Sequence, residues 1–192
     1  MRIGILCLQG DFAEHSQTTL AAAYRLNTPC TVVPVRAKEH LEGLDGLIIP
    51  GGESTTIGKL LVRNGMVAGI SKIPKIFGTC AGAIMLAKRV EGAIPGQHFL
   101  SLMDIGVKRN AYGSQSSSFQ MRLKTELGDV DAAFIRAPTI NFMGQNVKPL
   151  AYKDGEVVAA YEQVGDKHYL ACTFHPELST TLFHEFFLLL GK

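Results

Sequence analysis

The stretch Lys75-Ile76-Phe77-Gly78-Thr79-Cys80-Ala81-Gly82 decides the fold. A short apolar run from Lys75 to Phe77 ends among small residues and gives way at once to a helix-forming stretch that begins at Ala81. Strand, sharp turn and helix within so few residues form the context of a nucleophile elbow. Gly78 and Gly82 let the strand and the helix approach closely, which leaves the Cys80 side chain at the tip. Unpaired amides at a helix start carry partial positive charge and favour thiolate over thiol. Standing alone, the same motif also fits a structural cysteine between two glycines.

Working outward, the strand-then-helix alternation repeats. Apolar runs at Ile3 to Leu8, Thr31 to Val35 and Gly46 to Ile49 read as strands, and Phe12 to Leu26, Thr55 to Asn64 and Ala81 to Lys88 read as helices. Such alternation implies a parallel sheet covered on both faces. The second half offers strands at Ile105 to Arg109, Ser118 to Lys124, Ala132 to Ile135, Lys148 to Tyr152, Glu156 to Tyr161 and Tyr169 to Phe174. Their hairpin-like spacing around Asp154-Gly155 and Gly165-Asp166 points to antiparallel additions. A last helix is expected from about Thr180 to Leu190. The expectation is an α/β fold: a doubly wound, mostly parallel open sheet with helices on both faces and antiparallel additions in the second half. With no repeat and no linker, residues 1–192 read as one domain.

Composition narrows the function classes. At 46% apolar and 19% charged residues the chain is globular, and a net charge of +2 without a basic cluster argues against a nucleic-acid or anionic-membrane surface. The apolar N-terminal run is cut by Gln9, Gly10 and Asp11, too early for a secretory leader, and no stretch reaches membrane-spanning length. Cys7, Cys30, Cys80 and Cys172 form no CxxC pair and no metal-ligand spacing, so they read as reduced thiols of a cytoplasmic protein. His15, His40, His98, His168 and His184 lack metal-ligand spacing and read as surface or core polar groups; no metal is expected.

In open α/β sheets, ligands gather outside the carboxyl ends of the parallel strands. Leu8-Gln9-Gly10, Pro50-Gly51-Gly52-Glu53-Ser54 and the Cys80 elbow all fall at such ends. Thr173-Phe174-His175-Pro176-Glu177 ends the last strand, and Pro176 favours an extended His175, so His175 and Glu177 face the same way. A histidine backed by a carboxylate is what a cysteine nucleophile needs: a base for the thiol proton, an acid for the leaving amine, and an anchor for the imidazole. Gly51-Gly52 frees the backbone to aim an amide at an oxyanion, with Ser54 as the expected N-cap; an ordinary tight turn with a cap has the same pattern. A phosphate loop is excluded because the Gly-Lys-Ser/Thr ending is missing.

The elbow, the glycine turn and His175-Pro176-Glu177 together resemble the class I (triad) glutamine amidotransferases. Leu8-Gln9-Gly10, Gly51-Gly52-Glu53-Ser54-Thr55-Thr56, Arg109-Asn110-Ala111-Tyr112-Gly113, Ser118-Phe119, Phe134-Ile135-Arg136-Ala137-Pro138 and Phe174-His175-Pro176-Glu177-Leu178 are most similar to the branch serving pyridoxal 5′-phosphate synthases. The likeness runs from about Ile3 to Leu178. Ile84 fits that branch, whereas many other class I members carry glutamine there. Ser114, where the branch often has arginine, and Ser179-Thr180-Thr181, in place of a more acidic stretch, depart from it.

The resemblance implies a glutaminase with a Cys80-His175-Glu177 triad. Backbone amides near Gly52 and Ala81 would receive the oxyanion, and Gly52, Glu53, Ser54, Arg109, Ile135 and Arg136 would hold L-glutamine. It implies no cofactor. Its implied partner is the synthase subunit, in a large hetero-oligomer, with Gln9 linked to partner-dependent activation. Two other classes stay open: a cysteine hydrolase of similar fold acting on peptides or glutamyl conjugates, and a non-catalytic assembly subunit.

Overall fold

The computed structural model describes residues 1–109, 111 and 118–192. In the first half, β1 (Arg2–Leu6), α1 (Phe12–Arg25), β2 (Thr31–Val35), β3 (Gly46–Ile49), α2 (Ser54–Arg63), α3 (Val67–Ile70), β4 (Lys75–Thr79) and α4 (Ala81–Leu86) follow one another. Then come strands β5 (Ala87–Glu91), β6 (Met103–Lys108), β7 (Phe119–Leu123), β8 (Val130–Phe134), β9 (Thr139–Met143), β10 (Val147–Lys153), β11 (Glu156–Val164) and β12 (Lys167–Cys172). A 3₁₀ turn at Pro176–Leu178 leads to α5 (Leu182–Leu189). No helix among the described residues is long and apolar enough to cross a membrane.

The main sheet runs in the order β2-β1-β3-β4-β12-β11-β9-β6-β5, with β10 on β11; β7 and β8 form a separate hairpin. The five strands from β2 to β12 are parallel, while β11 pairs antiparallel with β12, β10 and β9. This is the mostly parallel open sheet with antiparallel additions expected from the sequence. Alternation along the strands covers both faces. Leu6, Leu47, Ile49 and Ile76 pack with Ile57 and Leu61 of α2 and Ala83 to Leu86 of α4. Ile3, Ile5, Ile48 and Phe77 turn the other way, onto Ala22 and Ala23 of α1 and Phe183, Phe187 and Leu188 of α5.

Several elements differ from expectation, among them the short α3, which the expected helices did not include. The helix after the elbow stops at Leu86 rather than Lys88, and Ala87–Glu91 becomes an edge strand parallel to β6. Ala, Lys, Arg and Glu prefer helix locally, but pairing with β6 overrides that weak preference. Strand β9, joining β11 to β6, is not among the expected strands; its Thr-Ile-Asn-Phe run alternates only briefly, and its Phe142 is exposed.

The topology places chemistry at one edge. β1 has β2 on one side and β3 on the other, a topological switch point where the loops beyond the carboxyl ends diverge and leave a crevice. The segments leaving β1, β3, β4 and β12 carry Gln9, Gly51-Gly52, Cys80 and His175 respectively.

Candidate active site

Cys80 has φ +48° and ψ −104°, a left-handed conformation that costs a non-glycine residue energy and that surrounding structure must impose. Its amide donates to the Cys172 carbonyl at the end of β12, at 2.8 Å. The flanking glycines are required by contact: a Cβ at Gly78 would sit 2.4 Å from the Gly82 carbonyl carbon, and one at Gly82 only 2.0 Å from the Ile49 oxygen. Ala81 opens α4 immediately after the thiol, in the first turn, where amides have no helical acceptor.

His175 follows β12, and its backbone N–H donates to the Ala133 carbonyl of β8 at 2.9 Å. Its Nδ1 lies 2.6 Å from Glu177 Oε1, with both side chains buried. The extended geometry expected for this pair is not what joins them: Glu177 lies in the 3₁₀ turn, where Pro176, with its fixed φ, occupies the first position. With Nδ1 engaged by Glu177, Nε2 is left for the thiol. Burial opposes an imidazolium here, yet the nearby Cys80 thiol and the hydrogen-bonded, negatively charged Glu177 outweigh it and push His175 up to about 10. Burial also raises the Glu177 carboxyl. The short contact with a charged donor nevertheless favours the ionised pair over two neutral groups.

The glycine turn closes in on this pair. A Cβ at Gly51 would lie 2.4 Å from His175 Cε1, and one at Gly10 only 1.7 Å from the Gly51 oxygen. The Gly51 carbonyl therefore faces Gly10, and across a trans peptide the Gly52 N–H faces the opposite way. Gly52 itself has φ +147° and leaves room for Gln9, whose Oε1 accepts the Glu53 N–H at 2.7 Å.

Ser54 is not the N-cap of α2. Glu53 holds that position, its carboxylate accepting the Thr56 N–H at 2.7 Å and the hydroxyls of Thr55 and Thr56. A carboxylate complements a helix start better than a hydroxyl. Although partial burial opposes it, these hydrogen bonds hold Glu53 below the usual carboxylate range. Ser54 Oγ instead accepts from Gln97 Nε2 at 3.1 Å. Gln97 also takes an Arg109 N–H at 2.8 Å, while Arg109 Nη2 lies 3.4 Å from Glu53. Gln97 stands in no motif, so no local pattern announced that it would tie Ser54 to Arg109.

These groups share one cleft of about 310 Å³, with Cys80 and His175 at one end and Glu53, Ser54 and Arg109 among its walls. Ile135, Arg136 and Gln9 line it too. Arg136 sits at φ +46°, and the Ile135 carbonyl faces Cys80 Sγ at 3.8 Å. Every expected site residue therefore borders the cleft or adjoins a residue that does: Glu177 is hydrogen bonded to His175, and Ala81 follows Cys80. A larger hollow of about 510 Å³, beside residues 38–44 and 65–74, holds none of them. Asn110, Tyr112, Gly113 and Ser114 lie outside the described residues.

Asp11, His175 and Glu177 bring one donor atom each within 4.8 Å, the sole such grouping among the described residues. His175 Nδ1 is already spent on Glu177, and Asp11 Oδ2 stands 3.5 Å from the same nitrogen. Sequence reasoning overlooked the other side of this group. His15 on α1 is fully buried, 2.9 Å from Thr79 Oγ1, 2.9 Å from His184 and 3.4 Å from Glu177 Oε2.

Residues 5–190 match the SNO glutamine amidotransferase family. The pyridoxal 5′-phosphate synthase subunit PdxT of Pyrococcus horikoshii is 43% identical over 98% of both chains. The proteins of that name from Brevibacillus brevis and Dehalococcoides mccartyi are 45% and 46% identical, covering 96% and 98% of those chains and 98% and 100% of this one. A crystal structure described as a glutamine amidotransferase superposes with a TM-score of 0.84 at 43% identity, covering 98% of each chain. A putative GMP synthase component from Thermoplasma acidophilum, 16% identical and covering 97% of this chain and 90% of its own, shares the fold with a TM-score of 0.58. A thiol on a strained backbone, a buried His-Glu pair and a glycine turn meet at one sheet edge, in a chain matched almost from end to end; it belongs to the SNO glutamine amidotransferase family.

Proposed function

We propose that residues 1–192 form one glutaminase domain that hydrolyses L-glutamine to L-glutamate and ammonia. The ammonia passes to the synthase subunit that makes pyridoxal 5′-phosphate, the complex in which the PdxT relatives are named as subunits. One observation carries the catalytic reading: His175, hydrogen bonded to the buried Glu177, opens onto the same cleft as Cys80 and Arg109.

Cys80 Sγ attacks the side-chain amide carbon, and the carbonyl electrons move onto oxygen, where the Gly52 and Ala81 amides receive them. His175 gives its proton to the departing nitrogen, and the C–N bond breaks to release ammonia. Water then gives a proton back to His175 and attacks the glutamyl thioester, releasing glutamate and restoring the thiol. Glu177 orients the imidazole and stabilises its charge without exchanging protons with the substrate. Arg109 and Arg136 hold the α-carboxylate, with Gly52, Glu53, Ser54 and Ile135 completing the glutamine site. No cofactor or metal enters these steps. The setting is cytoplasmic, and the assembly is a large hetero-oligomer.

Docking of the synthase switches the enzyme on. Gln9 accepts the Glu53 N–H and packs against Gly52, so a partner that moves Gln9 resets where the Gly51-Gly52 peptide, which carries no Cβ, points. An oxyanion lacking one donor loses roughly 3 to 4 kcal/mol, about a hundredfold to a thousandfold in rate. The test is glutamate release from glutamine as synthase is titrated in, with wild type and Gln9→Ala. Stimulation by synthase that Gln9→Ala blunts is the expected result. Full activity of the isolated chain, unchanged by synthase, defeats partner activation, and cleavage of peptides in preference to glutamine defeats the glutaminase reading.

A further inference from the structure

Behind the triad lies a buried polar chain that glutamine hydrolysis, as proposed, does not use. Glu177 has two carboxylate oxygens, and only Oε1 has a hydrogen-bond partner, His175; Oε2 is buried without one. His15 Nε2 stands 3.4 Å from it, long for a hydrogen bond, and lies 2.9 Å from Thr79 Oγ1. On its other side His15 Nδ1 meets His184 Nε2 at 2.9 Å, while His184 Nδ1 has no partner.

That pattern assigns the protons. Both rings are fully buried, and desolvation lowers His15 well below its usual range and His184 to about 3, so each is neutral and carries one N–H. A proton on His184 Nδ1 would be a buried donor without an acceptor, the costlier kind of orphan. It therefore sits on Nε2 and is donated to His15 Nδ1. The remaining proton of His15 then sits on Nε2, directed between Thr79 Oγ1 and Glu177 Oε2.

We propose that His15 is a positioning residue for glutamine hydrolysis: locked in its Nε2–H form by His184, it fastens the free oxygen of Glu177 to Thr79, the residue before the nucleophile. This rests on the Cys80-His175-Glu177 triad acting as proposed. The clamp joins three elements, because His15 belongs to α1, Thr79 ends β4 and Glu177 follows β12. Thr18 Oγ1, one turn further along α1, donates to the Glu177 carbonyl at 3.0 Å and fixes the same helix to the same turn. Without the Nε2–H, the buried carboxylate would lose a donor beside Oε2, would ionise at higher pH, and would release its grip on His175.

The test exploits the shapes of amide side chains. The nitrogen of glutamine reaches the position of imidazole Nε2, whereas that of asparagine reaches only Nδ1. His15→Leu, His15→Asn and His15→Gln are compared in glutamate release with the synthase present, alongside melting curves that confirm folding. His15→Leu and His15→Asn should lower kcat about tenfold to a hundredfold, the effect of one hydrogen bond to a charged group, with the glutamine KM unchanged. Their acid limb of kcat/KM should move to higher pH, and His15→Gln should recover most of the rate and the original limb. The titratable groups that face Glu177 are His175 and Cys172 of the β12 segment and Asp11 and His15 at the start of α1, with His184 of α5 behind His15. Asparagine and glutamine variants of equal activity, or melting losses with no change in kcat or pH profile, overturn the positioning role; if His15→Leu does not fold, the asparagine–glutamine comparison decides. Failure of the triad reading looks different, since Cys80→Ala would then still release glutamate.

Discussion

Glu177 Oε1 lies 2.6 Å from His175 Nδ1, and neither side chain is more than 3% exposed. A contact this short between buried ionisable groups fixes the ring plane and leaves Nε2 aimed at the thiol. Glu177→Gln keeps the shape but offers an amide where a carboxylate stood. Turnover should fall by about a hundredfold or more, as when a triad acid is neutralised, with the glutamine KM within about twofold of wild type. Initial-rate kinetics over a range of glutamine concentrations check the split; a pure rise in KM contradicts the orienting role.

Gly51 makes room for the imidazole. Because a Cβ there would be 2.4 Å from His175 Cε1, Gly51→Ala must push the ring off its line to Cys80. A displacement near 1 Å costs about a hundredfold in rate, so kcat should fall on that scale in a protein whose circular dichroism is unchanged. Wild-type kcat would show that the turn yields instead of the ring.

Acid should unfold the protein through His15 and His184. Both bind a proton more weakly folded than unfolded, His184 dropping from 6.5 to about 3. Their stabilising contribution is therefore present above pH 6.5 and lost as pH falls below it, by up to about 1.4 kcal/mol per pH unit for each histidine. His175 has the opposite sign: raised to about 10, its contribution is complete below 6.5 and lost as pH climbs through 10. Urea midpoints measured from acid to alkaline pH should peak near neutrality, and His184→Gln should flatten the acid side. An unchanged acid slope in that variant contradicts the neutral, buried assignment.

Local signals made the sheet and the meeting of Cys80, His175 and Glu177 legible. The Lys75 to Gly82 stretch carries its own strand, turn and helix, and the contacts at Gly78 and Gly82 explain why no other residue type stands there. His175 and Glu177 are two apart, so their pairing needed no knowledge of the rest of the chain. Edge strand β5 was hidden because its Lys, Arg and Glu favour helix until β6 lies alongside. The cap of α2 moved from Ser54 to Glu53 because the choice depends on which side chain reaches the Thr56 amide. His15 and His184 are 169 positions apart and follow no spacing rule, and only the packing of α1 against α5 brings their rings together. Gln97 was invisible for the same reason, since its partners Ser54 and Arg109 are distant in sequence.

The most direct measurement is glutamate release by Cys80→Ala in the presence of the synthase, with folding checked by melting and the thiol probed by a glutamine-mimicking alkylator. If Cys80 is the nucleophile, the variant should melt as a folded protein, take up no alkylator at this position and release no glutamate above the uncatalysed background. Turnover near the wild-type rate would contradict it.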